Sequence, residues 1–351
     1  MASKLIRVLV IDDSALVRKT ISDTLKLDPE IEVVGVANDP LIAIEKIPKL
    51  NPDVLTLDME MPRMDGLTFL RKLRNEGSSL PVVVISSLTQ SGSQLALDAL
   101  DAGAQEVLAK PDGQSSIGAL ASKLAFHIKA AYRARHGNKT ARPALQSSPV
   151  TAPPLNSGHG ENRLILIGAS TGGVEALRYL LPALPNHLPP IVIVQHIPAY
   201  FSKAVAERIN TLTSYEVKEA SDGELLRPGL CLIAPGDFHL MVVRSTGYRT
   251  RLVQSPPVHH CRPSVDVLFR SAAAAAGPHA LAVLLTGMGS DGAVGMQAIK
   301  RAGGYTLAES EESCVIYGMP RAAVELDAVD RSVHLDLMPQ AIMDGLRQLR
   351  V

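Results

Sequence analysis

The stretch that decides the fold of the second half of the chain is Ile167-Gly168-Ala169-Ser170-Thr171-Gly172-Gly173. It follows an apolar run typical of a buried strand and precedes residues 174–181, whose apolar spacing predicts a helix. A strand that turns sharply into a helix puts Ser170 at the carboxyl end of a parallel sheet, where free helix N–H groups stabilise an anion. The stretch matches the G-x-S-x-G pattern of nucleophilic serines, although such turns also cradle phosphates or simply close a loop.

Two later strand ends carry residues that complete a hydrolase-type set. His196 follows the apolar run 190–195, and Asp291 lies in the glycine-rich turn after the run 280–285. We expect Ser170, His196 and Asp291 to converge as nucleophile, base and orienting acid. Taken singly, each has a plainer interpretation: a turn serine, a structural histidine and a helix N-cap. The chain order Ser, His, Asp differs from that of α/β-hydrolases, which disfavours an ordinary lipase or esterase.

An acyl-transfer site also needs N–H donors for the developing oxyanion. We predict the backbone N–H groups of Thr171, next to the nucleophile, and Met288, in the glycine-rich turn that follows residue 285. Cys261 is predicted to be a buried thiol. No role is assigned to three further histidines, namely His239, His259 and His260.

The first half of the chain alternates apolar runs with helical patterns. The runs predict a doubly wound parallel sheet with strands at 6–11, 32–37, 54–57, 82–85 and 106–109. Polar residues follow the predicted strands: Asp12, Asp13, Asp58, Ser86 and Lys110. Converging carboxylates repel one another unless a cation lies between them, and an oxygen-only set suits Mg²⁺. A lysine and a hydroxyl nearby would hold the remaining oxygens of a phosphoryl group.

Composition limits the classes of function. The 351 residues include 35 Lys and Arg and 35 Asp and Glu, so zero net charge favours neither nucleic acid nor an anionic membrane. No apolar run is long enough to span a bilayer. The three cysteines lack metal-ligand spacing, and we expect reduced thiols in a cytoplasmic protein. Residues 136–162, rich in Pro, Ser, Gly and Thr, predict a flexible linker.

Residues 1–135 resemble the receiver domain of two-component response regulators. The resemblance rests on the motifs Asp12-Asp13-Ser14, Asp58-Met59-Glu60-Met61-Pro62-Arg63-Met64-Asp65-Gly66, Ser86-Ser87 and Lys110-Pro111. It implies a flavodoxin-like fold in which Asp58 accepts a phosphoryl group from a chemotaxis histidine kinase. It also implies that Asp13, Asp58 and the Glu60 carbonyl bind Mg²⁺, with support from Asp12. Ser86 and Lys110 would contact the phosphoryl group.

Residues 163–351 resemble the catalytic domain of the chemotaxis protein-glutamate methylesterases. The matching motifs are 168–173, Gln195-His196-Ile197, Arg262-Pro263-Ser264-Val265-Asp266, 285–293 and 313–320. The resemblance implies a second doubly wound domain, Rossmann-like and without a cofactor. It would hydrolyse glutamate γ-methyl esters of chemoreceptors, and deamidate receptor glutamines, in chemotactic adaptation. It further implies that the unphosphorylated receiver inhibits the enzyme and that phosphorylation relieves the inhibition.

We therefore expect two α/β domains in a cytoplasmic, monomeric enzyme that does not insert into membranes or bind nucleic acid. The alternative is a receiver that controls a non-enzymatic domain, whose glycine-rich turns merely bind a ligand or a partner protein. The two interpretations differ at Ser170, which only an enzyme would need as a reactive nucleophile.

Overall fold

The computed structural model describes residues 5–86, 90–110, 117–136, 162–186, 188–199 and 201–349. The chain divides into two compact units, Met1–Lys139 and Thr140–Val351. The linker predicted over 136–162 lies outside the described residues except at its two ends, so that prediction stays untested. Across the described residues, none of the helices combines the length and the apolar character needed to cross a lipid bilayer.

The first unit is a five-stranded parallel sheet with helices between the strands. Its strands pair in the order β2-β1-β3-β4-β5. The strands are β1 (Ile6–Ile11), β2 (Ile31–Ala37), β3 (Val54–Asp58), β4 (Val82–Ser86) and β5 (Glu106–Ala109), and the helices are α1 (Ala15–Leu25), α2 (Pro40–Leu50), α3 (Gly66–Asn75), α4 (Gln90–Asp101) and α5 (Ile117–His136). This strand order is the flavodoxin-like doubly wound arrangement, and it confirms the fold predicted for this half.

Local sequence explains where these elements begin. Ser14, Asp39 and Asp65 are the N-caps of α1, α2 and α3, and each side chain accepts a backbone N–H of its helix. Every residue of β3 and β4 is buried, as expected for central strands of a sheet that helices cover on both faces. The caps and the buried runs together place the polar residues after β1, β3 and β4 at one edge of the sheet.

The second unit contains a seven-stranded parallel sheet in the order β14-β13-β12-β6-β7-β9-β8 and a separate antiparallel pair, β10-β11. The strands are β6 (Leu164–Ala169), β7 (Ile191–Gln195), β8 (Glu216–Glu219), β9 (Leu230–Ile233), β10 (His239–Ser245), β11 (Gly247–Val253), β12 (Ala280–Leu284), β13 (Tyr305–Glu309) and β14 (Arg331–Val333). The helices are α6 (Gly173–Ala183), α7 (Phe201–Asn210), α8 (Val265–Ala276), α9 (Ala293–Arg301), α10 (Met319–Glu325) and α11 (Met338–Gln348).

The strand order of this sheet reverses between β6 and β12. From β6 the chain continues outward through β7, whereas from β12 it continues in the opposite direction through β13 and β14. Such a switch point opens a crevice at the carboxyl ends of the two strands, where doubly wound proteins bind their ligands. The turns after β6 and β12 both lie at this crevice. The second doubly wound domain is thus confirmed, and the β10-β11 pair is an addition that we did not predict.

Candidate functional site

In the first unit, the three predicted carboxylates lie together. Asp12, Asp13 and Asp58 each offer an oxygen, and these oxygens lie within 4.8 Å of one another. Asp12 and Asp58 are buried and Asp13 is exposed. Within the described part of the chain, Asp12 Oδ2 is buried and has no hydrogen-bond partner. A buried, unbonded carboxylate oxygen in an all-oxygen set is what a hard divalent cation requires, so these residues fit Mg²⁺.

Lys110 currently neutralises part of this charge. Its Nζ donates to Asp58 Oδ2 at 2.6 Å and lies 3.6 Å from Asp12 Oδ2. Burial raises the pKa of Asp58 to about 6, although the hydrogen bond and the charge of Lys110 act in the opposite direction. Burial likewise raises the pKa of Asp12, against the charge of Lys110. Three carboxylates thus face one lysine, and burial disfavours the charged forms of two of them.

The other predicted residues of this site occupy neighbouring positions. Ser86 ends β4, is fully buried, and its carbonyl accepts the Lys110 N–H at 2.7 Å. Asp58 pairs with Ile85 in the sheet, so Ser86 lies one position beyond that pair. Glu60 is exposed, and its backbone N–H donates to Asp58 Oδ1 at 3.2 Å. The predicted role of the Glu60 carbonyl stays a prediction.

In the second unit, Ser170 lies in the turn between β6 and α6. It is buried to 6% exposure, and its N–H donates to Thr286 O at 3.0 Å, which ties it to the turn after β12. Gly172 caps α6 with a φ of 78°, a conformation that favours glycine. A Cβ on Gly287 would lie 2.8 Å from Ser170 Cβ, so only glycine lets the two turns approach this closely. Ser170 therefore lies largely buried in the turn at the switch point of the sheet.

His196 and Asp291 are in direct contact. His196 Nε2 lies 2.8 Å from Asp291 Oδ2, and the two side chains are 11% and 3% exposed. The backbone N–H of His196 donates to Ala169 O at 3.0 Å, which fixes the histidine beside the Ser170 turn. Although both residues are described, no hydrogen bond joins Ser170 Oγ to the His196 ring here. The structure thus joins two of the three predicted triad residues and places the third on the adjacent turn.

Asp291 is held by the beginning of α8. The backbone N–H groups of Val265 and Asp266 donate to its carboxylate at 2.8 and 3.0 Å, and Ser264 Oγ donates at 2.8 Å. The N-cap of α9 is Gly292, so the N-cap interpretation of Asp291 is wrong. Burial raises the pKa of Asp291, but His196, the Asp266 N–H and Ser264 outweigh it and lower that pKa below its ordinary value. Asp291 is therefore a fixed, ionised acceptor.

The carboxylate also determines the state of the histidine. Burial lowers the pKa of His196, but the hydrogen bonds with Asp291 and Cys261 and the charge of the Asp291 carboxylate act in the opposite direction and raise it above its usual range. Cys261 Sγ lies 3.6 Å from His196 Nδ1. Cys261 is half-buried and lies beside the histidine, so the prediction of a buried thiol was wrong.

The two predicted oxyanion donors are positioned by the same turns. Thr171 is buried, Met288 is half-buried, and Thr171 O accepts the Thr286 hydroxyl at 3.0 Å. Among the residues that the structure describes, neither the Thr171 N–H nor the Met288 N–H has a hydrogen-bond partner. Two free N–H groups flanking the Ser170 turn are compatible with an oxyanion site.

Sequence comparison identifies the families that the two units of the chain match. Residues 165–342 match the CheB methylesterase family, and residues 8–121 match the response regulator receiver domain. A protein-glutamate methylesterase/protein-glutamine glutaminase of Syntrophotalea carbinolica is 50% identical over 353 residues, which cover 99% of each chain. A relative of the same activity name from Syntrophus aciditrophicus is 48% identical over 340 residues, or 96% of this chain and 98% of the relative.

The chain belongs to the CheB methylesterase family. It is therefore a carboxylic-ester hydrolase fused to a receiver domain, and this confirms the predicted enzyme class and disfavours the non-enzymatic alternative. The crystal structure of the Thermotoga maritima CheB methylesterase catalytic domain resembles it with a TM-score of 0.51 and 38% identity, covering 52% of this chain and 97% of that chain. A receiver domain also implies Mg²⁺-dependent phosphorylation in general.

Sequence reasoning missed several residues that shape the CheB methylesterase site. Ser264 lies in a quoted motif, yet only the structure shows its hydroxyl on Asp291. Glu309, fully buried at the end of β13, accepts the Thr286 N–H at 2.8 Å. Gln195 Nε2 donates to Ser170 O at 2.8 Å. The usable signal was a polar residue at each strand end, which we applied to His196 and not to its neighbour Gln195 or to Glu309.

Proposed function

We propose that this CheB methylesterase hydrolyses glutamate γ-methyl esters on chemoreceptors with Ser170 as nucleophile, His196 as base and Asp291 as orienting acid. The observation that carries the proposal is the 2.8 Å contact between His196 and Asp291 beside the Ser170 turn. The activity names of the relatives support the substrate class. The substrates would be the cytoplasmic parts of receptors, and a chemotaxis histidine kinase would be the phosphodonor.

The ionised Asp291 decides which nitrogen of His196 is the base. A carboxylate only accepts hydrogen bonds, so the proton between the two groups belongs to His196 Nε2. In the neutral ring, which forms as pH rises through the raised pKa of His196, the lone pair lies on Nδ1. Ser170 Oγ would give its proton to Nδ1 as the oxygen attacks the ester carbonyl, and the imidazolium that forms would be stabilised by Asp291.

The acyl transfer then proceeds in two balanced steps. Attack by Ser170 Oγ gives a tetrahedral oxyanion, which the Thr171 and Met288 N–H groups would stabilise. Collapse breaks the bond to the methoxy oxygen, and His196 returns the proton so that methanol leaves. Water then attacks the glutamyl-serine ester with His196 again as base, which releases glutamate and restores Ser170. The same steps on a glutamine amide release ammonia, so receptor deamidation is the second proposed activity.

Regulation is proposed to reside in the receiver. Asp58 would accept the phosphoryl group, and Lys110 would leave Asp58 Oδ2 and, together with Ser86, contact the phosphoryl oxygens. Asp12, Asp13, Asp58 and the Glu60 carbonyl would hold Mg²⁺, which when bound offsets the charge of the carboxylates and of the arriving phosphoryl group. Phosphorylation would then raise esterase activity.

The decisive experiment measures methanol release from methylated receptor membranes, with and without a small phosphodonor. Wild-type protein should release methanol, and the phosphodonor should increase the rate. In parallel, a serine-directed phosphonate followed by peptide mass mapping should label Ser170. Methanol release with no label at Ser170, and undiminished in a Ser170→Ala variant, would overturn the nucleophile assignment.

A further inference from the structure

The Cys261 thiol has no part in the proposed ester hydrolysis, yet it lies at the nitrogen that hydrolysis needs. Its sulfur is 3.6 Å from Nδ1 of His196, whose other nitrogen is occupied by Asp291. The three side chains offer one sulfur, one nitrogen and one oxygen, all within 4.8 Å of one another. From this geometry we propose that Cys261 and His196 form a binding site for Zn²⁺, and that the bound ion switches the esterase off.

The distance matches what zinc ligands require. Zn–S and Zn–N bonds of about 2.3 and about 2.0 Å at a tetrahedral angle put sulfur and nitrogen roughly 3.5 Å apart. The observed separation is 3.6 Å, so an ion can replace the thiol proton between Cys261 Sγ and His196 Nδ1 without a shift of the backbone. A mixed sulfur and nitrogen set selects Zn²⁺ over Mg²⁺, which prefers oxygen ligands.

The surroundings of the ring favour a metal ligand. Asp291 holds the proton on Nε2 and leaves the lone pair on Nδ1 facing Cys261, which is the carboxylate–histidine arrangement found behind many zinc sites. The carboxylate itself already accepts from Ser264, Val265 and Asp266, so it orients the ring and does not need to ligate the ion. Its charge still attracts a cation to this pocket.

The two proposed zinc ligands are partly exposed to solvent. His196 is 11% exposed and Cys261 is half-buried, so an ion can enter and the remaining coordination positions can take water. On binding, the thiol proton of Cys261 leaves to the buffer and the sulfur ligates as thiolate. Occupied Nδ1 can no longer take the Ser170 proton. The inhibition, although not the binding, rests on the proposed triad.

Binding is tested on the full chain with Co²⁺ as a spectroscopic stand-in for Zn²⁺ and with Mg²⁺ in excess. A sulfur-to-cobalt charge-transfer band should appear in wild type and should disappear when Zn²⁺ displaces the cobalt. Oxygen ligands of the receiver give no such band. Cys261→Ser should lack the band and bind Zn²⁺ at least ~10-fold more weakly, whereas Cys314→Ser, a matched half-buried thiol, should keep both.

Inhibition is tested in the same preparations by measuring methanol release by the unphosphorylated protein. Zn²⁺ should remove most of the wild-type activity, a chelator should restore it, and Cys261→Ser should keep its own zinc-free rate when Zn²⁺ is added. No band in wild type, or the same band in Cys261→Ser, would overturn the site. A band with undiminished turnover would overturn the switch. If the zinc-free protein released no methanol, the proposed function would be contradicted. The sulfur-to-cobalt band would still show whether Cys261 and His196 bind a metal.

Discussion

Asp291 faces Nε2 of His196 at 2.8 Å, so Nδ1 is the ring nitrogen left for proton transfer. In triads of the chymotrypsin type the carboxylate holds Nδ1 and the base is Nε2. Here His196 directly follows β7, and Asp291 is held by the beginning of α8. The chemistry is the same with either nitrogen, since only the proton between the ring and the carboxylate has to stay in place.

Replacing Asp291 should change both the rate and its pH dependence. Asp291→Asn removes a hydrogen-bonded charge that raises the pKa of His196, so that pKa falls relative to wild type. Because the neutral ring is the base, the acidic limb of kcat/KM should move to lower pH while the plateau falls by roughly 10³–10⁴-fold. Methanol release measured across pH checks both effects. A limb that stays in place would contradict the assignment of Asp291 as the partner of the base.

The His196–Asp291 pair also makes the free energy of unfolding depend on pH. A histidine whose folded pKa is raised above the unfolded value of 6.5 stabilises the fold fully below that value, and the contribution is lost as pH rises through the folded pKa. The stability difference between wild type and Asp291→Asn should therefore shrink as pH rises above neutral. Urea unfolding of both proteins at several pH values measures it. A difference that grows with pH would show that Asp291 does not raise the pKa of His196.

Ser170→Ala should abolish turnover with little effect on folding. Loss of a triad nucleophile costs roughly 10⁴-fold or more in kcat. Ser332→Ala, at an exposed serine of β14, is the matched control and should keep the wild-type rate. Circular dichroism establishes that both variants are folded, and methanol release gives the rates.

Replacing Ser264 tests how much its hydrogen bond to Asp291 contributes to stability and to the rate of hydrolysis. Ser264→Ala removes the hydroxyl that donates to Asp291 Oδ1 at 2.8 Å in a fully buried position. We expect a loss of about 1–3 kcal/mol in the free energy of unfolding of the second domain. Ser264→Thr restores the donor and should recover much of the stability and rate. Equal losses in both variants would indicate a packing effect and not the hydrogen bond.

The acidic cluster of the receiver should make phosphorylation depend on a divalent cation. Asp58→Asn should lose all labelling by a phosphodonor, whereas Asp23→Asn, an exposed aspartate on α1, should not. In wild type, EDTA should abolish labelling and added Mg²⁺ should restore it, because Asp12 and Asp13 repel an incoming dianion. Undiminished labelling in EDTA would show that the cluster holds no required ion.

The receiver should restrain the esterase. A protein of residues 160–351 should release methanol faster than the unphosphorylated full-length chain. Asp58→Asn in the full-length chain should keep the basal rate and lose the response to phosphodonor. A truncated protein slower than the unphosphorylated whole would make the receiver an activator.

Features set by neighbouring residues in the chain could be predicted from the sequence, whereas contacts between distant segments could not. Strand ends are visible in sequence, because apolar runs stop where Asp58, Ser170 and His196 begin, and parallel pairing brings such ends to one edge. The contacts that decide protonation were not visible. Cys261 and Ser264 reach the site from the segment before α8, between the β10-β11 pair and β12, and no periodicity indicates that this helix points its first N–H groups at Asp291.

The depth of Ser170 has a consequence for which proteins can be processed. Because only 6% of its surface is exposed, the proposed nucleophile favours a carbonyl carried at the tip of a long, flexible side chain. Under the proposed function, a glutamyl ester would reach the serine while its own main chain stays outside the site, so a receptor helix would not have to unwind. An aspartyl ester, one methylene shorter, would be the poorer substrate. The length of the substrate side chain, more than recognition of its neighbours, would then determine which residue is hydrolysed.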